Sequence, residues 1–400
     1  MGTRRNSELF ILIFLGMLTA FGPFVTDMYL PTLPAMSQFF NTSSSFIQLG
    51  LTTSMIGLAV GQLLFGPLSD KYGRRFPLIS ALSLFLISTI GCIYSPNIIQ
   101  FVGWRLIQGI AGAGGIVIFR SIAADKYSGK ELSKMQAIIG TAPVAAPILG
   151  GTMADITGRQ GIFWVLFLIG IFLLAGSIHF NDTLPAEKRG KTKWIDVYHG
   201  LITVLHNRSY VCYILQSGFA QSVLFANIAS SPFLMQQHYG FSPFMFSVCF
   251  GINAIAIGIA AASAAKFRHP EQALYTGSIG MVLASVCLFI AFYSNCSFWV
   301  YETLLIGLLL MLGLTFTASN TLAMDSARSN AGIASALLGA LGFAFGGLVS
   351  PLVGLGNILI STGLVFIIGS LGSFICTLRA LNRKFSLAKI LKTTQSSMNL

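Results

Sequence analysis

Charged residues are scarce in this chain. Only 9% of its 400 residues are Asp, Glu, Lys or Arg, and 54% are hydrophobic, whereas soluble domains devote about a quarter of their residues to charge. Long stretches contain no charged residue at all, namely 28–69, 76–104, 209–265 and 329–378. These absences exclude a water-soluble fold and predict an integral membrane protein.

The chain also lacks the patterns typical of metal centres, disulfides and catalytic sites. Its six cysteines have no CxxC spacing and no neighbouring histidine pairs, which argues against a metal site or a disulfide framework. Its five histidines fall at predicted helix ends or in loops, so a membrane-embedded enzyme is not expected. Nucleic acid is not an expected partner, because its binding would need a basic groove with interleaved aromatic residues on a soluble surface. No cofactor is expected either.

The continuous apolar runs predict membrane-spanning helices. A crossing helix needs about 20 apolar residues, whereas a strand of a membrane β-barrel has about 10 residues of alternating polarity. With Pro, Gly and polar clusters taken as breaks, we predict an all-α membrane protein with twelve transmembrane helices: 9–30, 45–68, 76–94, 98–120, 133–154, 161–180, 209–232, 242–265, 272–293, 297–320, 331–353 and 357–378.

The loops differ in basic residues, and this difference predicts the orientation. Alternate loops hold most of the Lys and Arg residues, whereas the opposite loops hold Arg159 alone. Short basic loops face the cytoplasm, so both termini are predicted to be cytoplasmic. The formal charge of +12 is therefore a topology signal.

A charged segment divides the chain into two halves. We predict an N-terminal six-helix bundle, a cytoplasmic linker, a C-terminal six-helix bundle and a cytoplasmic tail, over residues 1–187, 188–208, 209–380 and 381–400. Such an arrangement suggests duplication, with a substrate cavity near the midplane between the halves. Asp27 and Asn227 occupy equivalent positions in spans one and seven, and a proline follows each of them closely.

Asp27 and Arg105 are ionisable residues inside predicted spans. Ions in the apolar part of a membrane are costly and mark proton relays or substrate sites. At 1.5 Å per residue, Arg105 lies roughly 10 Å down span four and Asp27 roughly 11 Å beyond the midplane. Both are therefore predicted to lie in the outer half of the membrane. The alternative for Asp27 is a helix end that headgroups hydrate.

The string GPLSDKYGRR, which begins at Gly66, joins spans two and three. Gly66 is expected to permit close helix packing, and Gly73 a tight turn. Asp70 can pair with a neighbouring helix end, and Arg74 and Arg75 face the cytoplasm. In this loop of a twelve-span chain, the string resembles the hallmark loop of the major facilitator superfamily.

Three further strings strengthen this resemblance. WRLIQGIAGAGG, residues 104–115, resembles the second motif of the family. TDMYLPTLPAM and ASSPF, residues 26–36 and 229–233, are most similar to the Bcr/CflA multidrug efflux branch. The resemblance extends over the whole chain.

PVAAPILGG, in span five, resembles the motif of the drug:proton antiporters. It departs from that motif at Ala146, where the family more often has glycine. Pro143 and Pro147 are expected to kink the helix. Gly150 and Gly151 are expected to let a neighbouring helix approach.

The resemblance implies a protein of two six-helix bundles that exports drugs in exchange for protons by alternating access. It implies a multi-pass protein of the bacterial cytoplasmic (inner) membrane that acts as a monomer. In the implied cycle, an external proton neutralises Asp27 near Arg105, and a cytoplasmic drug later displaces that proton. Asp125, just past span four, is expected to pair with Arg74 and Asp70 as a conformational gate. The alternatives are a proton-coupled symporter and an exporter of one metabolite, such as an amino acid or a sugar.

The resemblance also places spans one, four, seven and ten around a central cavity, which Asp27 and Arg105 are predicted to face. Its predicted lining offers aromatic, sulfur and amide groups to a small amphiphilic substrate and consists of Phe24, Met28, Tyr29, Gln216, Asn227 and Glu302. Packing inside a bundle is the alternative for each of them, and an interfacial position is an equal alternative for Glu302.

Overall fold

The computed structural model describes residues 8–126, 142–185, 187, 189, 194–328 and 331–398. All long regular elements in these ranges are helices. They are α1 (Glu8–Asp27), α2 (Leu33–Phe39), α3 (Ser44–Tyr72), α4 (Arg75–Ile93), α5 (Ile98–Lys126), α6 (Ala142–His179), α7 (Trp194–His206), α8 (Arg208–Phe233), α9 (Pro243–Ser263), α10 (Pro270–Tyr293), α11 (Phe298–Ser326), α12 (Ala331–Val349) and α13 (Ile358–Met398).

Ten helical segments of the described chain are long and apolar enough to cross a membrane. They correspond to the predicted spans other than the first and fifth. α1 covers most of the first predicted span, whereas residues 133–141 of the fifth lie outside the described residues. The predicted all-α membrane architecture is therefore confirmed.

Some helices extend beyond their predicted ends. α3 and α5 continue to Tyr72 and Lys126, and α13 extends from the last predicted span through the predicted tail to Met398. Spans five and six are joined in α6, where Gly158 alone is non-helical, with φ 65° and ψ −160°. Hydropathy marks where a helix can be in lipid, but it does not show where the helix ends.

The chain forms two compact units. Unit 1 consists of Met1–Val197, Phe225–Ile255 and Phe343–Thr362, and unit 2 consists of Tyr198–Leu224, Ala256–Gly342 and Gly363–Leu400. Unit 1 thus contains segments from both sides of the predicted linker. The division into two six-helix bundles at 188–208 stays a prediction.

In unit 1, glycines bring α3 and α5 into backbone contact. A methyl group on Gly57 would lie 2.3 Å from the carbonyl oxygen of Leu106, and one on Gly109 would lie 2.1 Å from that of Ser54. Small residues of this kind allow helices to approach closely in a membrane. Gly66 was expected to do the same, but a methyl there would meet only Val117, at 3.8 Å. That expectation was wrong, because a side chain at this position would make only an ordinary van der Waals contact.

In unit 2, hydroxyl groups join α10 to α13. Ser278 lies 2.9 Å from Thr377, and Ser285 lies 2.8 Å from Ser370, between hydroxyl oxygens. Buried hydroxyl pairs of this kind hold helices together where lipid gives no hydrophobic driving force. These two hydroxyl pairs between α10 and α13 are a packing feature of unit 2.

The substitution Gly109→Ala tests the contact between α3 and α5. The added methyl would collide with the Ser54 backbone, so we expect a loss of roughly 1–3 kcal/mol in stability. Thermal unfolding of the purified protein in detergent measures it. Gly103→Ala is the matched control on α5, because nothing lies within 4 Å of its added methyl. Equal unfolding midpoints for the two variants would contradict the contact.

Candidate functional site

Asp27 is the last residue of α1 and is buried in unit 1, with 8% of its surface exposed. The chain turns there into the short 3-10 helix Leu30–Thr32, because the proline at its second position disfavours α-helical geometry in the residue before it. A helix C-terminus carries partial negative charge. The end of α1 therefore combines a carboxylate with unpaired carbonyl groups and favours a nearby cation.

Arg105 of α5 is that cation, and it is fully buried. Its Nη2 donates a hydrogen bond to the Val25 carbonyl at 3.1 Å, and its Nε donates to the Gly50 carbonyl at 3.4 Å. The Val25 carbonyl belongs to the last turn of α1, whose carbonyls have no partner farther along the helix. One guanidinium thus joins the end of α1 to α3 and α5.

Two further contacts fix the direction of this guanidinium. Its Cζ lies 4.2 Å from the centre of the Tyr29 ring, a cation–π contact. Its Nη1 donates to Oε1 of Gln108, whose Nε2 donates to the Thr89 hydroxyl at 2.7 Å. The network extends to α4 in this way.

Arg105 contacts the turn of α1 that bears Asp27, but the two side chains do not form an ion pair. Arg105 bonds to the carbonyl two residues before Asp27 and stacks on the ring two residues after it. The described ion pairs lie elsewhere. Both side chains are buried within unit 1, so neither points into lipid. Their part in proton coupling stays a prediction.

The predicted cavity residues on α1 have different surroundings. Phe24 is half-buried, whereas Met28 and Tyr29 are fully buried. The Tyr29 ring lies 6.2 Å from the Phe163 ring, and the Met28 backbone lies against Gly150. Met28 and Tyr29 therefore pack inside unit 1, around the turn of α1 that Arg105 contacts.

The other predicted cavity residues are also buried. In unit 2, Nε2 of Gln216 donates to the Ser373 hydroxyl at 2.9 Å, so this amide belongs to the packing between α8 and α13. Glu302 is buried near the start of α11 in the same unit, which does not fit an exposed interfacial position. Asn227, in unit 1, accepts a hydrogen bond from the Ser231 hydroxyl at 2.7 Å.

The loop between α3 and α4 forms a charged cluster. Arg74 pairs with Asp70 at 2.5 Å and with Asp125 at 3.0 Å, so the predicted pairing of these three residues is present. Burial opposes the charge of the guanidinium, but the hydrogen bonds to Asp125 and Asp70 outweigh it and raise the pKa of Arg74 above its usual range. The Ser69 hydroxyl accepts a further bond at 2.9 Å. We call these residues, with Asp182, the loop cluster.

Asp182 is the member that the sequence did not indicate. Its carboxylate accepts from the backbone N–H groups of Arg74 and Arg75, at 3.0 and 3.3 Å, and so caps the start of α4. It also pairs with Arg189 at 3.0 Å. Gly73, with φ 87°, leaves the room for this carboxylate. The only signal was an acidic residue directly after span six, in a region otherwise rich in Lys and Arg.

The glycines of the span-five string lie at close helix contacts in unit 1. A methyl on Gly150 would lie 2.0 Å from the Met28 carbonyl oxygen, and one on Gly151 would lie 2.3 Å from the Ser247 hydroxyl. α6 therefore approaches both the end of α1 and α9. Pro147 is buried inside α6, and the side chain of Pro143 lies outside the described residues.

A second set of contacts joins the predicted outer ends of several helices of unit 1. Gln48 donates to the Ala229 carbonyl at 3.1 Å, and Ser45 donates to the Pro351 carbonyl at 3.0 Å. Gly354 lies so close to Ser45 that a methyl group on it would be 2.7 Å from Cα of Ser45. We call these five residues the outer contact. It is formed in this structure.

Comparison with known proteins gives a consistent result. Residues 9–351 match the family model of the Major Facilitator Superfamily. The chain is 36% identical over 363 residues to the uncharacterized MFS-type transporter YdgK of Bacillus subtilis (strain 168), covering 88% of this chain and 90% of that protein. It is 26% identical over 366 residues to the bicyclomycin resistance protein homolog of Haemophilus influenzae, with the same two coverages.

A solved structure has the same fold. The crystal structure of a D-xylose-proton symporter matches with a TM-score of 0.72, at 16% identity, over 93% of this chain and 97% of that chain. At this identity the likeness shows the fold alone.

The substitution Gly73→Ala tests the loop cluster. The added methyl would lie 2.2 Å from Oδ2 of Asp182, which cannot move without breaking its bonds to the start of α4. We expect a lower thermal unfolding midpoint in detergent, from a loss of roughly 1–3 kcal/mol beyond the backbone strain of a left-handed residue.

Gly158→Ala supplies the matched control for that strain. Gly158 also has a positive φ, of 65°, but nothing lies within 4 Å of its added methyl. A Gly73→Ala variant no less stable than Gly158→Ala would show that Asp182 does not hold this loop.

Proposed function

Because this chain belongs to the Major Facilitator Superfamily, we propose that it exports small amphiphilic molecules from the cytoplasm in exchange for protons. The chain is a multi-pass membrane transporter rather than an enzyme. The resistance function named for its Haemophilus influenzae relative supports efflux as the direction. The proposed partners are protons, a small-molecule substrate and the lipids of a bacterial inner membrane, with a monomer as the working form and no cofactor.

The observation that supports proton exchange is the buried carboxylate at the end of α1. Asp27 is inside an apolar helix bundle and has no ion-pair partner among the described residues. A carboxylate in such surroundings either binds a proton or attracts a cation. We propose that proton and substrate compete for Asp27, so that one is released when the other binds.

Arg105 acts as a positioning residue in this proposal. Its hydrogen bonds go to the Val25 and Gly50 carbonyls and to Gln108, and none of these acceptors titrates. The guanidinium can therefore hold the turn that bears Asp27 in both protonation states. The half-buried Phe24 is the apolar residue of this turn that an amphiphilic substrate would contact, whereas Met28 and Tyr29 are fully buried.

Alternating access requires contacts that form and break on each side of the membrane. We propose the outer contact as one such gate, because it joins segments that are distant in sequence through single hydrogen bonds. Gly150 and Gly151 would allow α6 to slide along α1 and α9 near this gate. On the cytoplasmic side, we propose that the loop cluster around Arg74 stabilises one of the two states.

The substitution Asp27→Asn tests the proton-binding role. It keeps the size of the side chain and removes its titration, so we expect export that no longer depends on an imposed proton gradient. The measurement is substrate efflux from proteoliposomes at several internal and external pH values. Asp325→Asn is the control, because Asp325 is an exposed acid paired with Arg328. Gradient-driven export retained in Asp27→Asn would reject the assignment.

The substitution Gly354→Val tests the outer contact. Its side chain would collide with Ser45 and Gln48, and a cost of roughly 1–3 kcal/mol to the contact should slow export about tenfold. Gly258→Val is the control, because the space around Gly258 is open.

An independent readout is labelling of a cysteine placed at Ser350, which is fully buried in unit 1, in a variant without its natural cysteines. External labelling with an impermeant thiol reagent should increase in Gly354→Val. Unchanged labelling and unchanged export would mean that the outer contact is not a gate.

A further inference from the structure

α5 contains a second arginine, Arg120, whose surroundings are opposite to those of Arg105. It lies near the end of the membrane-spanning segment Ile98–Ala123, on the predicted cytoplasmic side. Its neighbours Phe119 and Ile122 are buried, but Arg120 itself is exposed. Among the described residues, Arg120 has no ion-pair partner and no acceptor for a hydrogen bond from its guanidinium.

The direction of Arg120 follows from its neighbours on the helix. Ile116, four residues earlier, lies against Gly22 of α1, and Val117, three residues earlier, lies against Gly66 of α3. Residues three and four apart share one face of a helix. Arg120 therefore leaves α5 on the face where α1 and α3 pack, and not on the opposite face.

Arg120 is too far from Asp27 to neutralise it. It is fifteen residues beyond Arg105, about 22 Å along the helix, whereas Arg105 contacts the turn that bears Asp27. It also lies on the cytoplasmic side of Arg105 in the predicted orientation. A substrate that enters from the cytoplasm would thus reach Arg120 before Asp27.

An exposed guanidinium without a partner has its N–H donors available to a ligand. Its planar fork of N–H donors matches the two oxygens of a carboxylate, and such charge-assisted pairs are strong where water is scarce. We propose that Arg120 binds the carboxylate of an amphiphilic substrate on its way from the cytoplasm, so that organic acids belong to the substrates of this transporter.

The experiment compares two probes that differ only in the carboxylate, dansyl-phenylalanine and its methyl ester. Binding to the full-length protein in detergent is measured by dansyl fluorescence, for the wild type, Arg120→Gln, Arg120→Lys and Arg268→Gln. Arg268 is a basic residue of a predicted cytoplasmic loop and controls for loss of one positive charge.

We expect the wild type to prefer the acid and Arg120→Gln to bind the acid about tenfold more weakly, with ester binding unchanged. Arg120→Lys keeps the charge but loses the fork, so it should retain part of the preference. A wild type without preference for the acid, or a preference that persists in Arg120→Gln, overturns the proposal. If Arg120 only reaches lipid headgroups, acid and ester will respond alike, which overturns it as well. If Arg120→Gln does not fold, the preference of the wild type for the acid and its partial loss in Arg120→Lys still test the proposal.

This inference rests on the proposed efflux function, and the two can fail separately. Gradient-driven export of the ester by wild type and by Arg120→Gln would support efflux even if the acid preference is absent. Binding of the acid through Arg120 without any export of either probe would instead count against efflux and leave the anion site standing.

Discussion

The guanidinium of Arg105 is the interaction on which the arrangement of α1, α3, α4 and α5 depends. Burial of an arginine costs several kcal/mol unless its donors are satisfied, and here carbonyl oxygens, an amide and an aromatic ring satisfy them. Each acceptor can be reached only if its helix ends or lies at a particular place. α1 must end near Asp27 so that the Val25 carbonyl is free, and α5 must lie close enough to α3 for Arg105 to reach the Gly50 carbonyl. Gly57 and Gly109 provide that closeness.

The sequence predicted the helices and the charged loop well, because both depend on residue type. Charge-free runs identify membrane spans, and the pairing of Arg74 with Asp125 follows from opposite charges near neighbouring helix ends. The partners of Arg105 could not be predicted in the same way. Backbone carbonyls have no sequence signature, whereas a carboxylate at matched depth, such as Asp27, is visible in the sequence.

Two other differences between the sequence predictions and the structure also arise from contacts that have no local sequence signature. Gly66 belongs to a recognisable string, yet close contact between α3 and α5 occurs at Gly57 and Gly109, because helices that cross at an angle approach closely only near the crossing. Asp182 is distant in sequence from the loop that it caps, and only the fold brings it to the start of α4. Local patterns predict local structure, whereas such long-range caps require the coordinates.

The way in which Arg105 is satisfied bears on proton exchange. If Arg105 were paired directly with Asp27, protonation of the carboxylate would leave a buried guanidinium short of an acceptor and would loosen the turn. With carbonyl acceptors, the turn keeps its hydrogen bonds whether Asp27 is charged or neutral. The charge of Asp27 is then available to a proton or to a substrate without the cost of a broken ion pair. In a chain with only 12 acidic residues, the proposed exchange would change the ligand of one carboxylate while the surrounding bundle keeps its structure.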